Sequence, residues 1–181
     1  MRFGTMKYCR LNSVVLAFVI TSSVVFAEGA SQAGNKRPRT SEDYQPRTIG
    51  EIVRMKPGRE DLRDKQDRLV VTRDDLPSRV RVTFMGKTRR IPQLKSEVIR
   101  QWARLYAGAI EHYTQPYQTE LLFSENGASY WLGVKKNSAL SAKSQFKKGD
   151  VLDLYLIRLG ATISNDNYDW ALLVEDVRKA R

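Results

Sequence analysis

The chain has 181 residues, 41% of them hydrophobic and 28% charged, with a formal net charge of +11. This length allows one domain with a tail, and the composition fits an ordinary globular protein. The only cysteine, Cys9, lies in a segment that we expect to be removed. The mature chain would then hold no cysteine, which excludes a disulfide, a thiolate nucleophile and a zinc–thiolate site.

The N-terminus has the three parts of a secretory signal. Arg2, Lys7 and Arg10 form a positive region, residues 11–26 are mostly apolar, and small Ala27 offers a cleavage point. Polar residues within the apolar run make it a poor membrane span. We therefore predict a signal peptide over residues 1–27 and export to the periplasm or the exterior. Retention as an uncleaved N-terminal membrane anchor is the alternative.

Residues 28–47 are rich in Ser, Gly, Ala, Pro, Lys and Arg and contain almost nothing apolar. Such a segment buries too little surface to offset the entropy lost on ordering, so it is predicted to be a disordered linker. Residues 48–181 form the predicted single β-rich domain. Within it, residues 49–55 fit either a short strand or a helical turn.

The strand signals begin at Leu69 and continue with clean alternation from Arg79 to Met85. Asn126-Gly127, flanked by two apolar runs, predicts a hairpin, because a type I′ turn needs positive φ at both central residues. The run Val151–Leu159 is apolar on both alternating faces, which predicts a central strand buried on both sides. A last alternating strand follows over residues 168–177.

One amphipathic helix is predicted at about residues 93–112. Leu94, Val98, Trp102 and Leu105 recur at helical spacing, and Pro92 suits the first turn. Lys95 is assigned to the opposite, polar face. The order strand, strand, helix, hairpin, strand, strand gives an α+β chain that is mainly antiparallel β. A small, partly closed OB-like β-barrel with one helix fits best. A strongly curved open sheet is the alternative.

Side chains suited to catalysis or metal binding are sparse. His112 is the only histidine, and no Gly-x-Ser-x-Gly elbow occurs. The run from Asn165 to Asp169 resembles the start of a calcium loop but has Trp170 where glycine is needed, so a turn is predicted instead. Glu111, Glu120 and Glu125 are candidate carboxylates whose spacing shows no common cleft. We predict no metal, no cofactor and no catalytic residues.

Basic and aromatic residues provide the candidate binding site. Arg79, Arg81, Arg89 and Arg90 are predicted to make electrostatic contacts, with Tyr117 or Trp131 as stacking residues. Small barrels with such surfaces often bind single-stranded nucleic acid, but an exported protein meets little of it. The partners expected are an anionic polymer, a membrane surface or an acidic protein.

The leading hypothesis is an exported, non-catalytic binding module that contacts an anionic envelope component or an acidic partner. A structural or assembly protein of the cell envelope is the second hypothesis. A small hydrolase with an unrecognised site is the third.

Overall fold

A computed structural model describes residues 39–55, 60–63, 68–108, 110–137, 144–165 and 167–180. The predicted signal peptide and the first part of the predicted linker lie outside these residues. In chain order, the elements are a 3-10 turn Ser41–Asp43, β1 Gln45–Pro46, α1 Ile49–Arg54, β2 Glu60–Arg63, β3 Leu69–Thr72, β4 Ser78–Arg90, α2 Gln93–Trp102, a π-helical segment Ala103–Ala107, α3 Ile110–Thr114, β5 Tyr117–Glu125, β6 Ala128–Lys135, β7 Val151–Ser164 and β8 Asn167–Lys179.

Five strands close into a barrel in the order β4-β5-β6-β8-β7, and β7 pairs back onto β4. These pairings are antiparallel except for β6 with β8, where Gly133 lies opposite Leu173 in a parallel register. The predicted mainly antiparallel, OB-like barrel with an amphipathic helix is confirmed. Because the sheet closes, the barrel and not the open sheet is the architecture that forms. Strand β3 extends the sheet beyond β7, and β1 adds to β4 in parallel.

The central strand β7 joins the two hydrophobic clusters of the domain, as the apolar run predicted. Leu152, Leu154 and Leu156 lie in the barrel interior. Ile157 and Leu159 lie in a second cluster, which also contains the buried side chains of α2. The strand continues past Gly160, where a Cβ would lie 2.2 Å from the backbone oxygen of Val70. Glycine is therefore needed here because β3 approaches the backbone closely.

The predicted helix is present but divided. Val98, Ile99 and Trp102 of α2 are buried in the second cluster, and Pro92 is the N-cap residue. The π-helical segment follows, and Gly108 adopts a left-handed conformation with φ of 64° before α3 begins. Leu105, which periodicity assigned to the apolar stripe, is 42% exposed. The change of helical period rotates it out of the interface.

Within residues 49–55, whose sequence fits either a strand or a helical turn, Ile49–Arg54 form a second helix, α1. Ile49 and Ile52 of α1 are fully buried and belong to the barrel-interior cluster. Arg158 caps the end of the helix: its Nη1 donates to the carbonyl oxygens of Ile52 and Met55, at 3.1 and 2.9 Å. Thr48 and Glu51 form a capping box at its start. The barrel interior is therefore filled partly by a short helix from the beginning of the domain.

Residues 39–47, at the end of the predicted linker, make contacts with the β-rich domain. Arg39 contacts Asp75 and donates to Glu175 at 2.9 Å, and Tyr44 donates to the same Glu175 carboxylate at 2.6 Å. The backbone N–H of Arg47 donates to the carbonyl of Arg79 at 3.0 Å. Residues 39–47 thus lie against the domain, held by polar contacts that composition alone does not reveal. No described helix has the length and apolar content required to cross a bilayer.

Candidate binding face of the barrel

The arginines predicted to form one basic surface lie at two ends of β4. Arg79 and Arg81 pair with Tyr155 and Asp153 of β7, whereas Arg89 pairs with Glu120 of β5. A register irregularity separates the two halves between Phe84 and Thr88. At about 3.3 Å per residue, the nearest members of the two pairs, Arg81 and Arg89, are separated by up to about 26 Å along the strand.

The charge at the start of β4 is partly balanced. Arg81 donates twice to the Asp153 carboxylate, at 2.8 and 2.9 Å. These hydrogen bonds lower the pKa of Asp153 below its ordinary value, although partial burial opposes the shift. Arg178 lies over the Tyr155 ring at 4.6 Å and pairs with Asp176. Arg81 and Arg178 are therefore paired with carboxylates, whereas Arg79 is exposed and forms no ion pair among the described residues.

The other end of β4 carries a ladder of alternating charges. The Nε of Arg89 donates to one oxygen of Glu120 at 2.6 Å, and the Nζ of Lys95 donates to the other at 3.1 Å. Lys95 also pairs with Asp169 at 2.8 Å. Glu120 and Lys95 are each only 2% exposed. Lys95, assigned from the sequence to the solvent face of α2, is buried because two carboxylates from distant strands meet it there.

This ladder holds Arg89 against an aromatic ring. The guanidinium carbon of Arg89 lies 4.4 Å from the centre of the Trp131 ring. The ring is half-buried on β6, where Trp131 pairs with Leu122 of β5. Because Arg89 donates to Glu120 and lies over the Trp131 ring, its planar guanidinium is already oriented in the absence of a ligand. Arg89 and Trp131, two of the predicted site residues, are thus brought into direct contact.

Three exposed lysines lie on or near the irregular segment of β4 that precedes Arg89. Phe84 of β4 pairs with Phe123 of β5, and Thr88 pairs with Leu121. The residues between Phe84 and Thr88, which include Lys87, therefore lie opposite Leu122, and Leu122 pairs with Trp131 of β6. The loop before β7 is bonded to the same place: Gly149 N–H donates to the carbonyl of Phe84 at 2.9 Å. That loop presents Lys147 and Lys148, whose side chains are exposed like that of Lys87. We call Lys87, Arg89, Trp131, Lys147 and Lys148 the Arg–Trp face.

Tyr117 is not on this face. It is 3% exposed, packs in the cluster beneath α2, and donates its hydroxyl to the Val174 carbonyl at 3.3 Å. Burial, with the nearby charge of Glu175, raises its pKa above the ordinary value. The ring is therefore unavailable for stacking on a ligand. Arg90 instead lines a separate small cavity beside α2.

The residues considered for catalysis are dispersed. His112 is exposed on α3, edge-on to Tyr113 at 5.3 Å between ring centres. Glu120 and Glu125 project from opposite faces of β5, and Glu125 accepts a hydrogen bond from the Gly50 backbone at 3.2 Å. Glu111 is exposed on α3. In the part of the chain that the structure describes, no three His, Cys, Asp or Glu side chains are grouped to hold a metal ion.

In comparisons with known proteins, no protein-family model and no curated protein sequence matches this chain. The fold itself defines the class to which the domain is assigned, a small closed β-barrel of OB-like architecture. Its second and third strands are β5 and β6, which carry Glu120 and Trp131.

Proposed function

We propose that this protein is an exported, non-catalytic binding module that holds an anionic polymer across the Arg–Trp face. The contact of Arg89 on β4 with Trp131 on β6, the first and third barrel strands, is the observation that carries the proposal. A planar cation fixed on a ring offers both a flat surface for a sugar or other cyclic unit and donors for an acidic group.

The surrounding charge favours a polymer with repeated negative groups. Within the ladder, the positive charges of Arg89 and Lys95 are balanced by the negative charges of Glu120 and Asp169. The amino groups of Lys87, Lys147 and Lys148 make no ion pair among the described residues. They therefore add uncompensated positive charge beside the stacking surface, which attracts an extended anion at several points.

The choice of a polymer from outside the cytoplasm depends on the N-terminal sequence. Arg2, Lys7 and Arg10 followed by the apolar run support export, and export favours an anionic envelope polymer over nucleic acid. N-terminal sequencing of protein recovered from the periplasm or the medium tests this part. A first residue at Glu28 agrees with it, and an intact Met1 in a cytoplasmic fraction contradicts it.

Binding to immobilised polygalacturonate, a carboxylated glycan, tests the site. Affinity is expected to fall by at least tenfold between about 0.05 M and 0.5 M salt, because the contacts are exposed and screened. The double variant Lys147→Gln/Lys148→Gln should weaken binding at low salt. The control Arg73→Gln/Arg104→Gln removes the same charge from other exposed positions and should bind like the wild type. Equal losses in both variants would show a non-specific charge effect. Binding to phosphatidylglycerol vesicles alone, or to an acidic protein alone, would replace the polymer as the ligand.

A further inference from the structure

A cavity of about 210 Å³ opens between the first turns of α2, the end of α3 and the adjoining ends of β4 and β5. Its polar lining comes from Arg90, Ser96, Arg100, Thr114 and Gln118. None of these residues belongs to the Arg–Trp face. Four separate elements, β4, α2, α3 and β5, supply them, so the tertiary fold itself brings the group together.

The charge in the cavity is positive. Arg90 makes no ion pair or hydrogen bond through its side chain among the residues described, so all five of its N–H donors are open. Arg100 uses one terminal nitrogen to pair with Glu97, and the rest of its guanidinium group remains available. None of the described residues that line the cavity is acidic. Two guanidinium groups in one concavity favour an anion over a neutral or cationic ligand.

The neutral groups complement the arginines. The Ser96 hydroxyl and the Gln118 amide provide further donors, while the Thr114 hydroxyl already donates to the Ile110 carbonyl at 3.1 Å. Beneath them, Ile91, Ile99 and Tyr117 are between 2% and 5% exposed and form a packed apolar floor. The floor gives the polar groups rigid supports, which reduces the ordering that a ligand would otherwise impose.

The size of the cavity limits the ligand. A volume of about 210 Å³ is below the roughly 300 Å³ at which pockets for drug-sized molecules begin. A compact group fits, and a tetrahedral oxyanion matches two guanidinium groups that approach from different elements. We propose that this cavity is a site for a phosphate group, free or as the terminal phosphomonoester of a larger molecule, and that Arg90 and Arg100 bind its oxygens. It is distinct from the polymer site and does not depend on it.

Titration of the full chain with inorganic phosphate tests the site. Amide and arginine side-chain NMR signals should shift saturably at Arg90, Ser96, Arg100 and Gln118. Arg90→Gln and Arg100→Gln should each weaken the affinity by about tenfold, which corresponds to 1.4 kcal/mol. Arg104→Gln removes the same charge from an exposed position outside the cavity and should leave the affinity unchanged. Trp131→Ala should also leave it unchanged, which separates this site from the polymer site.

Vesicles identify the source of the phosphate. Phosphatidic acid presents a phosphomonoester, and phosphatidylglycerol presents a phosphodiester in the same type of bilayer. Binding to phosphatidic acid that is lost in Arg90→Gln assigns the site to a lipid head group, and a response to inorganic phosphate alone assigns it to the free ion. The proposal is overturned if neither probe binds. It is also overturned if Arg104→Gln weakens binding as much as Arg90→Gln does, or if the shifted signals lie at Arg89 and Trp131.

Discussion

The substitution Glu120→Ala tests whether the charge ladder behind the Arg–Trp face is a buried structural unit. Glu120 is 2% exposed and binds both Lys95 and Arg89, at 3.1 and 2.6 Å. Removing its carboxylate leaves the Lys95 ammonium buried with Asp169 as its remaining partner. Because Asp169 is 62% exposed, it is solvated and compensates only part of that charge.

The expected cost follows from the burial. Loss of one partner from a buried ion pair costs about 3–5 kcal/mol, and the remaining contact with Asp169 favours the lower end of that range. For a domain of this size, about 3 kcal/mol corresponds to a decrease of roughly 10 °C in the melting temperature. The double variant Lys95→Met/Glu120→Leu should be less destabilised than Glu120→Ala, because it leaves no lysine charge in the interior.

Urea unfolding followed by circular dichroism measures these differences. Asp153→Ala is the control, since its partner Arg81 is 59% exposed and such a surface pair contributes about 1 kcal/mol or less. If Glu120→Ala costs no more than this control, the reasoning is refuted. If the double variant is as unstable as the sum of the single variants Lys95→Met and Glu120→Leu, Lys95 and Glu120 do not interact.

Three other predictions concern stability. Gly160→Ala should lower the free energy of unfolding by about 1–3 kcal/mol, because its Cβ would overlap a backbone oxygen of β3. The control Gly50→Ala should be neutral or stabilising, and thermal melting measures both variants. Leu154→Asp should prevent folding by placing a charge in the barrel interior, and a soluble variant with a cooperative melt would contradict this. Burial raises the pKa values of Tyr44 and Tyr117 in the folded protein. Their contribution to the free energy of unfolding is therefore complete below about pH 10. It is lost as the pH rises further, because the tyrosines of the unfolded chain ionise first. Each should steepen the alkaline loss of stability by about 1.4 kcal/mol per pH unit, and Tyr117→Phe should reduce that slope in pH-dependent urea unfolding.

Much of the barrel was predictable because its signals are local. The two-sided apolarity of Val151–Leu159 requires a strand covered on both faces, and β7 is such a strand from Leu154 to Leu159, whereas Val151 at its start is 45% exposed. Asn126 and Gly127 adopt the positive φ values, 50° and 82°, that the predicted hairpin turn needs. The helix could also be located by its period, because Val98 and Trp102 face the core.

The remaining features depend on contacts between distant segments. Lys95 resembles any solvent-facing lysine on a helix until β5 and β8 bring Glu120 and Asp169 beside it. Arg39 lies in a segment of low apolar content, and its two acidic partners are separated from it in the chain. For α1 a local signal did exist, since Thr48-x-x-Glu51 is a capping box.

The candidate site was predictable only in part, for the same reason. Sequence pattern picked out Arg89 and Trp131 as basic and aromatic, but only the register of β4, β5 and β6 places them in contact. The residue type of Tyr117 suits stacking on a ligand, but the covering helix buries the ring. Arg79 and Arg81 were grouped with Arg89 by proximity in the chain, whereas an extended strand carries them to its other end.

The most direct test of the proposed function is the affinity of Trp131→Ala for polygalacturonate at low salt, measured beside the wild type. The substitution removes the ring on which Arg89 lies and changes no charge. Loss of one stacking aromatic costs about 1–3 kcal/mol, so binding should weaken by roughly 5- to 150-fold while the melting transition stays cooperative. An affinity equal to that of the wild type in a folded Trp131→Ala protein would contradict the assignment of the Arg–Trp face as the binding site.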